Sequence, residues 1–263
     1  MSTAFFLPDP HHPGRYNPTG CTVGPWSPQH QHGGPPIALL AQALCRQPSA
    51  APMDLARLTV EFLGPVPLDE CEVSVRVLRP GKRVELLQGE YRVGGRPILT
   101  AQAWRMQREP GICPPIPEPW SPPPLPAAET RRFFLGGEGF PYGRSLEWRF
   151  AEGGFDRLGP ATVWARSRIP LVEGEETLGA AGLLTLLDSA NGVSCELDIS
   201  RWTFVPVDLT LNLHRQPVGP WFGMAANTVI DDGGIGTVNT IVFDPSGPVG
   251  RSLHTLFVRP KSG

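Results

Sequence analysis

No stretch of this chain stays apolar for the roughly 18 residues that a membrane-crossing helix needs. Its start, "MSTAFFLPDPHH", lacks the basic lead and long apolar run of a secretory signal. A cytoplasmic protein with no membrane partner is therefore expected. Cysteine is scarce: Cys21, Cys45, Cys71, Cys113 and Cys195 are odd in number, scattered and without a CxxC pair. That argues against a disulfide framework and a zinc ribbon. Charge is also thin, at 18% of residues and a net −2 with both signs interspersed. The basic face of a nucleic-acid binder is missing. So are two catalytic signatures: Ser194 sits in "GVSCE" rather than a GxSxG elbow, and "DDGGIG" reads as a hairpin turn rather than a phosphate loop. His30, His32 and the pair His11-His12 have no acidic or cysteine partner at ligand spacing, so neither metal nor other cofactor is expected.

What is present is a core-forming composition, 40% hydrophobic over 263 residues, and an excess of proline, 32 in all. Nine of the prolines fall in "EPGICPPIPEPWSPPPLP", residues 109–126, which suits neither a helix nor a central strand. Residues 109–143 read as a stiff extended connector between an N-terminal unit, 1–108, and a C-terminal unit, 144–263. The two units repeat one another. "LTVEF" (58–62) matches "LTLNL" (209–213), and "GGRPILTAQAW" (94–104) lies opposite "SGPVGRSLHTLF" (246–257). Each unit places a short, almost wholly apolar helix (34–46 and 180–192) before strands with period-2 alternation such as "CEVSVRVL" and "RVELLQGEYRV". A helix apolar on nearly every side has to be surrounded, and a curled antiparallel sheet does that. The fold class is α+β, duplicated within one chain.

One charge sits badly in this pattern. In "LLTLLDSANGV" (183–193), Asp188 ends one of the most apolar runs of the chain. A carboxylate there needs a partner or a use. Desolvation would raise its pKa and make it a stronger base near neutral pH. The repeat aligns Asp188 with about Leu40, flanked by Leu39 and Ala41, so one chemical site per chain is expected. It also sets His254 opposite Gln102. His254 can hydrogen-bond an attacking water, carry a proton, or pair with Asp188. Before the first helix, His32, Gly33 and Gly34 lead into unpaired amides suited to a substrate oxygen that gains negative charge.

A helix swaddled by an antiparallel sheet, twice in one chain, is a double hotdog. The segments "QHGGPPIALLAQAL", "LTVEFLGPVPLDE", "LLDSANG", "DLTLNLHRQPVGPWFG" and "GPVGRSLHTLFVR" resemble the acyl-CoA thioesterase II (TesB-like) family. The resemblance implies hydrolysis of acyl-CoA to a free acid and CoA, with acyl-CoA as the partner and assembly into a homo-oligomer. It implies a water held by an Asp, a Gln and a Thr. The Asp position falls on Asp188 and the Gln position on His254. The Thr position falls near Pro206, with Thr203 and Thr210 close by. Asp188, His254 and Thr210 are thus the catalytic candidates, and His32, Gly33, Gly34 and Gln102 the substrate-binding ones. Two other readings stay open: an acyl-thioester binding protein that has lost hydrolysis, and a hotdog hydratase or dehydratase.

Overall fold

The structure, a computed structural model, describes residues 4–130, 133 and 139–261. The N-terminal half carries β1 (Phe6–Pro8), β2 (Arg15–Pro18), α1 (Gly34–Arg46), β3 (Met53–Phe62), β4 (Cys71–Arg79), β5 (Val84–Val93) and β6 (Arg96–Gln107). The C-terminal half carries α2 (Pro141–Arg144), β7 (Leu146–Glu152), β8 (Ala161–Ser167), α3 (Gly179–Leu187), α4 (Ala190–Val193), β9 (Trp202–Pro206), β10 (Asp208–Leu213), β11 (Phe222–Ile230), β12 (Ile235–Asp244) and β13 (Gly247–Pro260). The strands form one sheet in the order β1-β2-β4-β5-β6-β3-β10-β13-β12-β11-β8-β7, with β9 also paired to β13. All of these pairings are antiparallel. The sheet wraps α1 and α3, whose leucines and isoleucine are buried. This is the double hotdog, an α+β fold.

The halves join where β3 pairs with β10, and their repeat axis is visible there. Thr59 faces Thr210 across the ladder, with Leu58 opposite Leu211 and Val60 opposite Leu209. The two threonine hydroxyls meet at 3.2 Å. Leu58, Val60, Leu209 and Leu211 point inward and are buried, so the threonines lie on the outer face. Thr210 therefore closes the seam between halves and does not line the Asp188 cavity.

The same ladder corrects the register of the repeat. Thr59 pairs with Gln102 and Thr210 with Leu253, so Leu253, not His254, is the counterpart of Gln102. A slip of one residue turns a side chain to the other face. Gln102 accordingly stands exposed on the outer face, while His254 is 2% exposed on the inner one.

The first central helix spans 34–46 as expected, but the second is shorter than 180–192. It stops at Leu187, with Asp188 as its C-cap, and a separate turn of helix follows at Ala190–Val193. The cause is tertiary. Tyr142 donates its hydroxyl to the carbonyl of Thr185 at 2.8 Å, the carbonyl that Ser189 N–H would otherwise use. Ser189 N–H turns to Leu186 instead. Within the expected connector, whose last residues, 141–143, already belong to α2, residues 109–130 contain no helix or strand. They strap the C-terminal half: Trp164 Nε1 donates to Pro123, Arg149 to Pro126, and Trp120 packs on Phe243. The rest of the expected connector includes 131–132 and 134–138, which lie outside the described residues. No helix among the described residues is long and apolar enough to cross a membrane.

Candidate active site

The N-terminus of α1 has few donors to offer. Pro35 and Pro36 occupy its first turn, and proline has no N–H. The amides of Gly33 and Gly34 are what remain; both lie against the Asp188 carboxylate, and that of Gly34 is shared with His32 Nδ1, to which it donates at 3.1 Å. A Cβ on Gly33 would lie 2.8 Å from Asp188 Oδ2 and 2.7 Å from the Phe62 ring. Glycine is what lets the carboxylate come this close. The amides expected to meet a substrate oxygen are thus directed at Asp188.

Asp188 Oδ2 sits 3.1 Å from His32 Nδ1, both side chains being about nine-tenths buried. Asp188 Oδ1 is buried with no partner among the described residues. Burial pushes the Asp188 carboxyl up to about 7, while the Gly33 and Gly34 amides pull it down. The C-terminus of its own helix adds to the rise, since carbonyl dipoles disfavour a negative charge there. Burial pushes His32 down to about 3, so the imidazole is neutral at physiological pH. The His32 ring stacks on Tyr142, with centroids 3.8 Å apart and planes within 8°.

The pair stands at the wall of a cavity of about 390 Å³. Its apolar lining includes Trp26, Phe62, Val66, Val205, Pro206 and Val207, and Asn191 is a polar exception. Pro206, which stands near the family's threonine position, is part of this wall and offers packing in place of a hydroxyl. The structure brings Asp188, His32, Gly33 and Gly34 together, the last by its contact with His32. Thr210, Gln102 and His254 lie elsewhere, and none of them lines the cavity. The imidazole beside Asp188 is that of His32. His254 has both ring nitrogens unpartnered and lies in a buried polar patch, with Thr240 and Ser252 also unpartnered. Burial lowers it to about 4, against the pull of Asp208.

Tyr142 and Ser189 are site residues that the sequence reading missed. Tyr142 belongs to α2, at the end of the expected connector, and nothing in its local pattern points to His32. The counterpart of Asp188 was misplaced too. It is not Leu40 or a neighbour but Gln42, whose Oε1 accepts the Leu178 N–H at the start of α3 at 3.2 Å. A carboxamide does in one half what the carboxylate does in the other. Among the described residues, no group of three or more His, Cys, Asp or Glu side chains is placed to hold a metal.

Comparison with known proteins agrees with this fold. The fold matches a candidate thioesterase from Novosphingobium aromaticivorans DSM 12444, with TM-score 0.72, 18% identity and coverage of 96% of this chain and 98% of that one. It matches a hot dog protein of unknown function from Alicyclobacillus acidocaldarius at TM-score 0.70 and 17% identity, covering 95% and 93%. It also matches the acyl-CoA thioesterase II TesB2 of Mycobacterium marinum at TM-score 0.66 and 17% identity, covering 95% and 93%. No curated protein matches in sequence. The family profiles do match, the acyl-CoA thioesterase N-terminal domain over residues 22–106 and the C-terminal domain over 115–258. With both halves matched in order over most of its length, the chain belongs to the acyl-CoA thioesterase family and is a thioesterase.

Proposed function

We propose that this enzyme hydrolyses acyl-CoA thioesters to a free acid and CoA, with Asp188 as the general base. The observation that carries the reading is a buried carboxylate on the wall of an apolar cavity. Oδ2 lies beside His32, and Oδ1 has no partner among the described residues. The Asp188 carboxylate takes a proton from water as the hydroxyl oxygen bonds to the thioester carbonyl carbon. Collapse of the tetrahedral adduct breaks the C–S bond, and the proton passes from Asp188 to the departing thiolate. Phe62, Val66 and the 205–207 wall hold the acyl group away from water.

The test is thiol release from acyl-CoAs of graded chain length. Asp188→Asn keeps the size and removes the base. General base catalysis supplies about 10²–10⁴-fold, so kcat should fall by about that factor with KM little changed. Equal release by wild type and Asp188→Asn would discard Asp188 as the base. No release by the wild type, with acyl-CoA still bound, would favour a binding protein that has lost hydrolysis.

A further inference from the structure

The polar chain behind Asp188 allows its protons only one arrangement. At one end, the N–H of Gly34 donates to His32 Nδ1 at 3.1 Å. A backbone amide can only donate, so Nδ1 bears a lone pair. At the other end, the carbonyl of Thr185 can only accept, so Tyr142 commits its single hydroxyl proton there, at 2.8 Å. Ser189 Oγ lies 2.9 Å from the Tyr142 oxygen and must supply the proton for that contact. The Ser189 oxygen is then left as an acceptor, and His32 Nε2 stands 3.5 Å from it. The Tyr142 ring, stacked on His32, keeps the imidazole from turning over.

We infer that Thr185, Tyr142, Ser189 and Gly34 lock His32 as the tautomer protonated on Nε2, and that its Nδ1 lone pair holds a proton on Asp188 Oδ2. An ionised Oδ2 would face that lone pair at 3.1 Å, which is repulsive, whereas a protonated Oδ2 donates to it. Tyr142 and Ser189 are positioning residues that act through His32 on the protonation of Asp188. The amides of Gly33 and Gly34 work in the opposite sense and favour the carboxylate. Among the described residues, the titratable groups around the pair are Tyr142, from α2, and His30 on the cavity wall, and no lysine or arginine lines the cavity. Neutrality of His32 agrees with its burial.

The tautomer is read directly by long-range ¹H–¹⁵N correlation on protein labelled at its six histidines, with His32 assigned by the signals missing from His32→Gln. The expected result is an unprotonated Nδ1 and a protonated Nε2 from pH 6 to 8. A proton on Nδ1, or an imidazolium, in that range overturns the inference. The kinetic consequence rests on Asp188 as the base. Tyr142→Phe keeps the ring stack, and Ser189→Ala interrupts the chain at its next link. Either change releases the Nε2 end of the ring, so that the Gly34 amide can turn wholly to the Asp188 carboxylate and Nδ1 can carry a proton and donate to it, and the acid limb of kcat/KM should move down by about one pH unit. A merely structural role would change kcat and leave that limb in place, so an unmoved limb in both folded variants overturns the control of Asp188. If thiol release fails in the wild type, the base assignment falls, while the tautomer still stands or falls on its spectrum.

Discussion

The two oxygens of Asp188 meet different surroundings, and the pH behaviour of the enzyme follows from that. With the carboxyl pushed up to about 7 by burial, the basic form grows in as pH rises through that value. The kcat/KM of the wild type should therefore climb between about pH 6 and 8, as a pH–rate profile will show. Stability runs the other way. A folded-state pKa above the unfolded one stabilises fully below the unfolded value and is lost as pH rises through the folded value. Asp188→Asn removes the buried charge, so its Tm should exceed that of the wild type by several degrees at pH 8.5, with the gap clearly smaller at pH 5 and closed only below the unfolded value of 3.8. Thermal melts at the two pH values check this. The two imidazoles can be separated in the same way. His32→Ala should cost kcat tenfold or more, because Asp188 loses the imidazole that raises its basicity. His254→Leu replaces a side chain whose ring nitrogens already lack partners, so hydrolysis should stay within about twofold and Tm should not fall. Thiol-release kinetics on both variants would reverse the assignment if His254→Leu proved the damaging one.

At the scale of elements, the site exists because two helices cross closely enough for the end of one to meet the start of the other. Gly34 lies against the backbone of α3: a Cβ there would sit 2.2 Å from the Thr185 carbonyl oxygen. That oxygen also receives the Tyr142 hydroxyl, so it has no room to yield. A Cβ on Gly33 would instead press on a phenylalanine ring and a carboxylate end, both of which can swing aside. Gly34→Ala should therefore destabilise by about 1–3 kcal/mol, the range for overpacking. Gly33→Ala should keep most of the stability and lose most of the activity. Denaturant melts alongside kinetics distinguish the two, and equal losses in both variants would contradict the geometry. The opposite end of α1 is secured differently. Arg105, buried and paired with Glu85, donates to the carbonyls of Leu44 and Cys45 and so satisfies the last turn.

Over the whole molecule, the duplication is symmetric in its sheet and asymmetric in its chemistry. The Thr59–Thr210 seam relates the halves, yet Asp188 faces the start of α1 while Gln42 faces the start of α3. Gln42 cannot act as a base, in keeping with one site per chain. The acid side of the stability curve belongs to a different group. Burial would raise the Asp244 carboxyl, but Arg215, bound through two nitrogens at 2.6 and 2.7 Å, and the Val218 and Ser246 amides outweigh it and hold it below the usual carboxylate range. Its contribution is present above the unfolded pKa and lost as pH falls through the folded one. From these two groups stability should therefore peak near the unfolded carboxyl value of 3.8, with the Asp244 contribution lost below it and the Asp188 contribution lost above it, up to about pH 7. Arg215→Gln should move the acid limb to higher pH, which an acid titration followed by circular dichroism will register.

The order of elements, the duplication and the oddity of Asp188 were all legible in the chain itself. Each is a local property: apolar runs too uniform for a surface helix, period-2 alternation, matched segments and one carboxylate at the end of a leucine-rich stretch. The family resemblance rested on the same segments. Whether His254 or Gln102 faces inward was not legible, because a repeat aligned one residue out of register still looks like a repeat while every side chain changes face. Nor was the end of α3, since the group that takes the Thr185 carbonyl comes from Tyr142, 43 residues earlier. The partner of Asp188 was decided in the same way. His32 reaches it because two prolines leave the start of α1 with few amides, two glycines let α3 approach, and the sheet closes both halves around one helix crossing. Such contacts join residues distant in sequence, and only the folded chain brings them within a hydrogen bond of each other.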